Sequence, residues 1–334
     1  MKILVTGGAG YIGSHAVYTL IEAGHQVVVV DNLVTGHKKD VHKEATFYHG
    51  SIGDYRFMVE TLKKENVDGV IHFAAYSLVG ESMENPFKYY ENNVASTNVM
   101  LAAMQACGVK HLVFSSTAAT YGNVNAATAA TYGNVDVALI TEDMPTIPTN
   151  TYGQTKLAME QMISWYSVAN GMSYVALRYF NVAGAHPSGI IFEKHDPETH
   201  LIPLILQVAA GERAQISIFG DDYPTADGTC IRDYIHVMDL AEAHVLAMEY
   251  LIKGGDNLIC NLGNGEGFSV KEVVEAAREV THHPIPAEIS PRRAGDPAKL
   301  IASSARAQKV LGWTPKNPEI KAIIESAWRA TYGK

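Results

Sequence analysis

Short, almost wholly apolar runs alternate with longer stretches of helical periodicity through the first 180 positions of this chain. Lys2–Thr6 and Gln26–Asp31 are apolar at nearly every position, which suits strands buried on both faces of a parallel sheet. Between them Ala16, Val17, Leu20 and Ile21 share one face of a helix spanning Ser14 to Ala23, and Gly24-His25 ends it. The same alternation predicts strands at Thr46–His49, Gly69–Phe73, His111–Ser115 and Ser173–Arg178. It predicts helices at Tyr55–Glu65, Pro86–Cys107 and Thr151–Asn170. Regular alternation of this kind implies an α/β fold with a doubly wound parallel sheet. After about Gly184 the elements shorten and prolines such as Pro187, Pro197, Pro203, Pro224 and Pro284 punctuate them. This part reads as a smaller mixed domain, from which a strand at Asn257–Leu262 could return to the large sheet.

Composition narrows the classes. The 334 residues are 47% hydrophobic, enough for one large or two closely packed domains. A net charge of −9, without any dense Lys/Arg run, argues against a nucleic-acid partner. No apolar run reaches membrane-spanning length, and the chain enters a strand at once, so no signal peptide is expected. Cys107, Cys230 and Cys260 are isolated and odd in number, so a reduced, cytoplasmic location is expected. The fourteen histidines are scattered, and adjacent His282-His283 lacks helical ligand spacing, so no metal site is expected.

The junction of the first strand and helix carries the first chemistry. Gly7-Gly8-Ala9-Gly10-Tyr11-Ile12-Gly13 follows the strand directly, and Asp31 closes the next one. Gly7 and Gly10 suit a tight turn close to a pyrophosphate, and Gly13 suits close helix–sheet packing. The spacing is Gly-x-x-Gly-x-x-Gly, and its strand–turn–helix context is Rossmann-like. Asp31 can accept both ribose hydroxyls of an adenosine and would repel a 2′-phosphate, so NAD is expected rather than NADP.

The second signal is Tyr152-Gly-Gln-Thr-Lys156. Of seventeen tyrosines, this is the one with a lysine four residues on. On a helix such a pair shares a face. An adjacent ammonium favours the phenolate and is expected to lower the tyrosine pKa, giving a base for an alcohol proton.

With Thr6–Gly13, Asp31, Ser115-Ser116-Thr117 and the Tyr152/Lys156 pair in this order, the chain resembles the extended short-chain dehydrogenase/reductases. Within them it is most similar to the UDP-hexose 4-epimerase family, over nearly its whole length. Further segments carrying the resemblance are His72-Phe73-Ala74-Ala75, Val79-Gly80-Glu81-Ser82, Tyr90–Val94, Arg178–Asn181, Gly184–Gly189, Arg232–Val237 and Arg292–Asp296. The resemblance implies an isomerase that interconverts UDP-galactose and UDP-glucose through a 4-keto sugar, with tightly bound NAD and a homodimeric assembly. It implies catalytic roles for Tyr152, Lys156 and Thr117. It places Gly7, Gly10, Tyr11, Ile12, Gly13, Asp31, Asn32, Ser51, Ile52, Phe73, Ala74, Ala75, Asn93, Ser115, Tyr152, Lys156, Tyr179 and Phe180 around the cofactor. Thr117, Asn181, His200, Leu201, Phe219, Arg232, Tyr234, Arg293, Asp296 and Leu300 would surround the UDP-sugar, with Phe219 and Tyr234 flanking the uridine. The domain division it implies is 1–183 for the cofactor, with about 230–265 returning to it, and 184–334 mainly for the sugar nucleotide. Bland readings stand beside these: an Arg232–Asp233 ion pair, a core Phe219, a helix-capping Asp296 and an Asn93 serving local backbone.

Thr117–Ala127 is repeated as Thr128–Ala138, with nine of eleven positions identical. Thr117 and Thr128 therefore compete for one role. Thr117 directly follows the apolar strand, so the sheet should place it and leave the surplus as a loop. Ser51 and Ser77 stand where family members often carry aspartate and lysine. Leu300 stands where some place a tyrosine, which leaves room for UDP-N-acetylhexosamines. Three rivals remain: a nucleotide-sugar 4,6-dehydratase, an NAD-binding regulator, and a variant disabled by the repeat. The dehydratase family carries an Asp-Glu pair after the threonine, whereas Ala118-Ala119 and Ala129-Ala130 follow the two threonines here.

Overall fold

The computed structural model describes residues 1–122, 139–293 and 296–333. Seven strands form one parallel sheet: β1 (Lys2–Thr6), β2 (Gln26–Asp31), β3 (Thr46–His49), β4 (Gly69–His72), β5 (His111–Ser115), β6 (Ser173–Tyr179) and β11 (Leu258–Leu262). Their order is β11-β6-β5-β4-β1-β2-β3. The chain reverses its direction of travel across the sheet between β1 and β4, and such a switch point opens a crevice at the strands' C-terminal ends.

Both faces of the sheet are covered, which explains why its strands read as continuous apolar runs. On one side Val17 and Leu20 of the Tyr11–Glu22 helix meet Leu240, Ala243 and Met248 of the Val237–Ile252 helix over Ile3, Val5 and Val175. On the other side Met58, Leu62, Met100, Leu101, Met104, Met159 and Ile163 pack on Leu4, Val28, Val70 and Phe114. The expected return of residues 230–265 takes the form of the Val237–Ile252 helix and strand β11. Ala307, Leu311 and Trp313 join the same core, a contribution from the far end of the chain that periodicity did not announce.

A second core forms where the Leu201–Ala209, Val270–Thr281 and Ile320–Tyr332 helices meet, around Ile205, Val273, Ile323 and Trp328. Short strands surround it: β7 (Asn181–Ala183) pairs with β10 (Tyr234–His236), β8 (Ile216–Phe219) with β13 (Ala287–Ser290), and β9 (Ile231–Arg232) with β12 (Phe268–Ser269) and β14 (Lys299–Leu300). Ser269 starts the Val270–Thr281 helix with a reciprocal capping box to Glu272.

The stretch expected as one helix over Pro86–Cys107 is helical throughout but changes pitch. Tyr90–Ala95 form a π-helical segment between Pro86–Tyr89 and Ser96–Cys107. Such segments commonly mark functional sites. Here the segment contains Asn93, fully buried, whose amide accepts from Tyr76 N (2.8 Å) and donates to Tyr76 O (3.1 Å) and Thr155 Oγ1 (3.2 Å).

Candidate active site

A cavity of about 800 Å3 opens at the C-terminal ends of the central strands. The glycine turn forms one wall. Gly7 N donates to Val30 O (2.9 Å) and Gly10 N to Gly7 O (3.2 Å), so the turn folds back on the sheet. The helix begins at Tyr11, three residues before the periodicity announces it, and its unsatisfied N–H groups therefore face the turn. A Cβ on Gly13 would lie 2.1 Å from Gly7 O, so glycine is required for this approach. Asp31, 7% exposed, accepts from Ala9 N (3.0 Å) and Leu33 N (2.8 Å). Each oxygen keeps further acceptor capacity, and the side chain lines the cavity. A glycine cradle, an exposed helix N-terminus and an acceptor-only carboxylate fit the pyrophosphate and adenosine ribose of NAD.

Tyr152 and Lys156 occupy the wall opposite. Asn150 caps their helix through Gly153 N (2.8 Å), and Ser82 Oγ accepts from Tyr152 N (3.0 Å). A Cβ on Gly153 would lie 2.5 Å from Ala119 O. This close passage brings the helix start against the short turn after Thr117, whose hydroxyl hydrogen-bonds the Tyr152 phenol. Thr117 is therefore the threonine beside Tyr152; Thr128 and most of the repeat lie outside the described residues. The residues around Thr117 are firmly tied: Tyr121 OH donates to Asn261 Oδ1 (2.7 Å), and Ile140 N donates to Ile301 O (2.8 Å).

The expected lowering of the tyrosine pKa is not what the geometry gives. Burial pushes Tyr152 up to about 12, opposed by the Thr117 hydroxyl. Lys156 Nζ donates to Ser115 O (2.8 Å) and lies 4.9 Å from the centre of the Phe114 ring. Burial lowers it to about 7, with Glu160 pulling the other way. Spacing places the two groups on one face, but burial decides which protonation state each prefers. Phenolate formation thus needs positive charge in the cavity beyond what Lys156 supplies alone.

Of the other expected residues, Gly7, Gly10, Tyr11, Ile12, Asn32, Ser51, Ile52, Phe73, Ala74, Ala75, Ser115, Tyr179, Phe180, Asn181, His200, Arg232, Arg293, Asp296 and Leu300 line the same cavity. Ser115 and Tyr179 hydroxyls lie 2.6 Å apart. Four of the expected residues do not line the cavity. Asn93 stays beneath the wall, holding Tyr76. Tyr234 is 5% exposed and packs in the second core, because it sits on a strand whose face that core covers. Leu201 starts a helix and packs on the same core. Phe219 lies outside the cavity lining with the Arg293 guanidinium 4.2 Å above its ring. Arg232 pairs with Asp296 (2.5 Å) and not with Asp233. Asp233 accepts from Asn264 N (2.9 Å), Gly265 N (3.3 Å) and Ala302 N (3.1 Å), and burial still raises it to about 6.

Two arrangements escaped the sequence. Glu160 and Arg178 form a buried bidentate pair (2.9 and 2.6 Å), and Glu160 also accepts from Ser116 Oγ. They come from a helix and a strand eighteen residues apart, so no spacing rule links them. The absence of helical ligand spacing pointed away from metal, yet Glu193, His195, Glu198 and His200 bring one donor atom each to within 4.8 Å of one another. Three of them, Glu193, His195 and His200, line the cavity. The signal was present as Glu-x-His-x-x-Glu-x-His in an irregular segment.

Residues 3–263 match the NAD dependent epimerase/dehydratase family. The chain belongs to that family. A UDP-glucose 4-epimerase of Halalkalibacterium halodurans is 58% identical over 98% of this chain and 95% of its own length. The crystal structure of the Brucella ovis UDP-glucose 4-epimerase in complex with NAD superposes with a TM-score of 0.92 at 46% identity, covering 98% and 97% of the two chains. The Bifidobacterium longum UDP-glucose 4-epimerase in complex with NAD+ and UDP gives 0.90 at 38% identity, covering 100% and 99%. The chain is thus an NAD-dependent isomerase on a Rossmann-like α/β fold.

Proposed function

We propose that this protein interconverts UDP-galactose and UDP-glucose at the cavity shared by the glycine turn and Tyr152. The observation that carries the reading is the meeting of Thr117, Tyr152 and Lys156 across one cavity from the Gly7–Gly13 cradle. Tyr152 removes the proton from the sugar 4-hydroxyl, and the Thr117 hydroxyl, bonded to the phenol, relays it. When bound, NAD supplies reversible hydride exchange at C4. Tyr152 would return the proton to the 4-oxygen once the sugar has presented its other face. Lys156 holds the nicotinamide ribose and contributes positive charge. Arg232 and Arg293 suit a pyrophosphate because guanidinium groups donate paired hydrogen bonds. Asp296 leaves Arg232 and takes ribose hydroxyls. Asn181 and His200 complete the nucleotide end. Residues 1–183, with about 230–265, would hold the cofactor, and 184–334 would mainly hold the sugar nucleotide.

Elimination, as in a dehydratase, needs an acid and a base beside the threonine, and Ala118 and Ala119 supply neither. Leu300 packs near Tyr121, Ile140 and Phe180 at the sugar end, and its size admits a 2-acetamido group. The assembly is a homodimer. Met83, Phe87, Tyr90, Trp165 and Val168 are exposed apolar side chains on elements that pack against one another. The location is cytoplasmic; among the described residues no helix is long and apolar enough to cross a membrane.

Incubation with UDP-galactose, followed by proton NMR of the anomeric region, tests the function. Appearance of UDP-glucose without added reductant supports it. Absence of conversion in protein that retains NAD rejects it. Light scattering of the parent and of Trp165→Glu tests the dimer, which the charge should disrupt.

A further inference from the structure

Outside the Tyr152 centre, the densest cluster of metal-ligating side chains among the described residues is Glu193, His195, Glu198 and His200. We propose that these four bind one divalent transition-metal ion, Zn2+ by donor preference, at the rim of the cavity. The geometry is the first support. His195 Nδ1 lies 3.1 Å from Glu193 Oε1 and 3.5 Å from Glu198 Oε2. His200 Nδ1 lies 2.9 Å from Glu193 Oε1 and 3.0 Å from Glu198 Oε1. Four donors held tetrahedrally at about 2.0–2.1 Å from zinc are about 3.3 Å from each other. The four histidine–glutamate separations fall near that edge length, with Glu198 using one oxygen for each histidine, and one donor atom from each residue lies within 4.8 Å of the others.

Burial is the second support. The two glutamate side chains are 8% and 7% exposed, and two adjacent buried carboxylates require positive charge between them. Lys194, which lies between Glu193 and His195 in sequence, turns to Asp40 (3.0 Å). The charge therefore comes from the imidazoles as imidazolium or from a bound cation. His195 Nδ1 favours the cation: it is buried and faces both carboxylates, yet makes no hydrogen bond of acceptable geometry.

Donor chemistry sets the ion. Two imidazole nitrogens with two carboxylates suit zinc and its transition-metal neighbours, whereas magnesium and calcium prefer all-oxygen sites. Glu198 is also oriented for the task, since Thr199 N and His200 N donate to its Oε1 (2.7 and 2.8 Å). Such outer contacts fix ligand direction at metal sites. The ion would tie the segment before the Leu201–Ala209 helix into one shape and so hold His200 at the cavity wall.

The test uses the full-length, NAD-loaded protein without an affinity tag, stripped with a chelator and titrated with Zn2+ alone. One ion per chain is expected at micromolar affinity or tighter, with a raised melting temperature. His195→Asn and Glu198→Gln, tested separately, should each weaken binding at least tenfold and abolish the zinc-dependent rise in melting temperature. Co2+ in place of zinc should give the intense visible absorption of a tetrahedral site. No stoichiometric binding would overturn the proposal, as would equal binding by the parent and both variants, the sign of an adventitious site elsewhere. A weak, octahedral cobalt spectrum would also overturn it. The metal-free melting temperature of each variant shows whether it folds, and the cobalt spectrum of the parent decides the matter if neither does.

Discussion

In the proposed reaction Tyr152, Lys156 and Thr117 act as one chemical unit. Tyr152→Phe should reduce turnover by about 10²- to 10⁴-fold, the usual reach of general acid–base catalysis, with NAD retained. Lys156→Met removes the neighbouring cation. The acidic limb of its rate profile should then move to higher pH, because Tyr152 must lose its proton in surroundings that already hold it up to about 12. Steady-state rates across pH check both. Thr117→Ala should lower turnover and Thr128→Ala should not, since Thr117 bonds the phenol. Leu300→Tyr should lower kcat/KM for UDP-N-acetylglucosamine more than for UDP-glucose; equal effects on both would remove the argument from side-chain size. The residues at this scale were legible because glycine spacing and an i,i+4 pair are local. The protonation of Tyr152 was not, since it depends on how much water packing excludes.

At the scale of elements, the fit between the Thr151–Asn170 helix and the turn at Ala118–Thr120 is the sensitive point. Gly153→Ala would drive a methyl into Ala119 O, so the two must part. A loss of about 1–3 kcal/mol, as for other overpacked sites, should accompany a fall in turnover, read from denaturant melts and rates together. Deleting Thr128–Ala138 should preserve turnover, because neither the strand end nor Thr117 is touched. It should add no more than about 1 kcal/mol of stability, since loop closure depends only weakly on length. Strands and most helices could be read directly from apolar runs. The π-helical segment at Tyr90–Ala95 could not, because one extra residue per turn hardly alters an apolar pattern. Tyr234 lies outside the cavity lining for a related reason: a family position does not say which face a neighbouring core will cover.

For the whole molecule, acid is the informative stress. Burial holds His15 and His72 down to about 3 and His244 down to about 4. Their unfolded forms take up protons below about 6.5. Between that pH and about 4 the unfolded state therefore binds more protons at these three histidines, which lowers stability as pH falls, opposed in part by Asp233, whose burial raises it to about 6. Melting temperatures from pH 7 to pH 5 should decline. His72→Asn should flatten the decline, because an amide can still serve Thr6 and Thr97 without taking up a proton.

The sheet order also has a consequence in time. Strand β6 ends at Tyr179, but the neighbour that covers its outer edge, β11, ends at Leu262. At about 5–20 residues per second, a ribosome needs several seconds to about a quarter of a minute to make the intervening chain. Throughout that interval the nascent protein carries a six-stranded sheet whose β6 edge, covered by β11 in the finished protein, is bare, a template for pairing with a neighbouring nascent chain. Yield during rapid expression should therefore respond to temperature and chaperone supply more strongly than the stability of the finished protein would suggest.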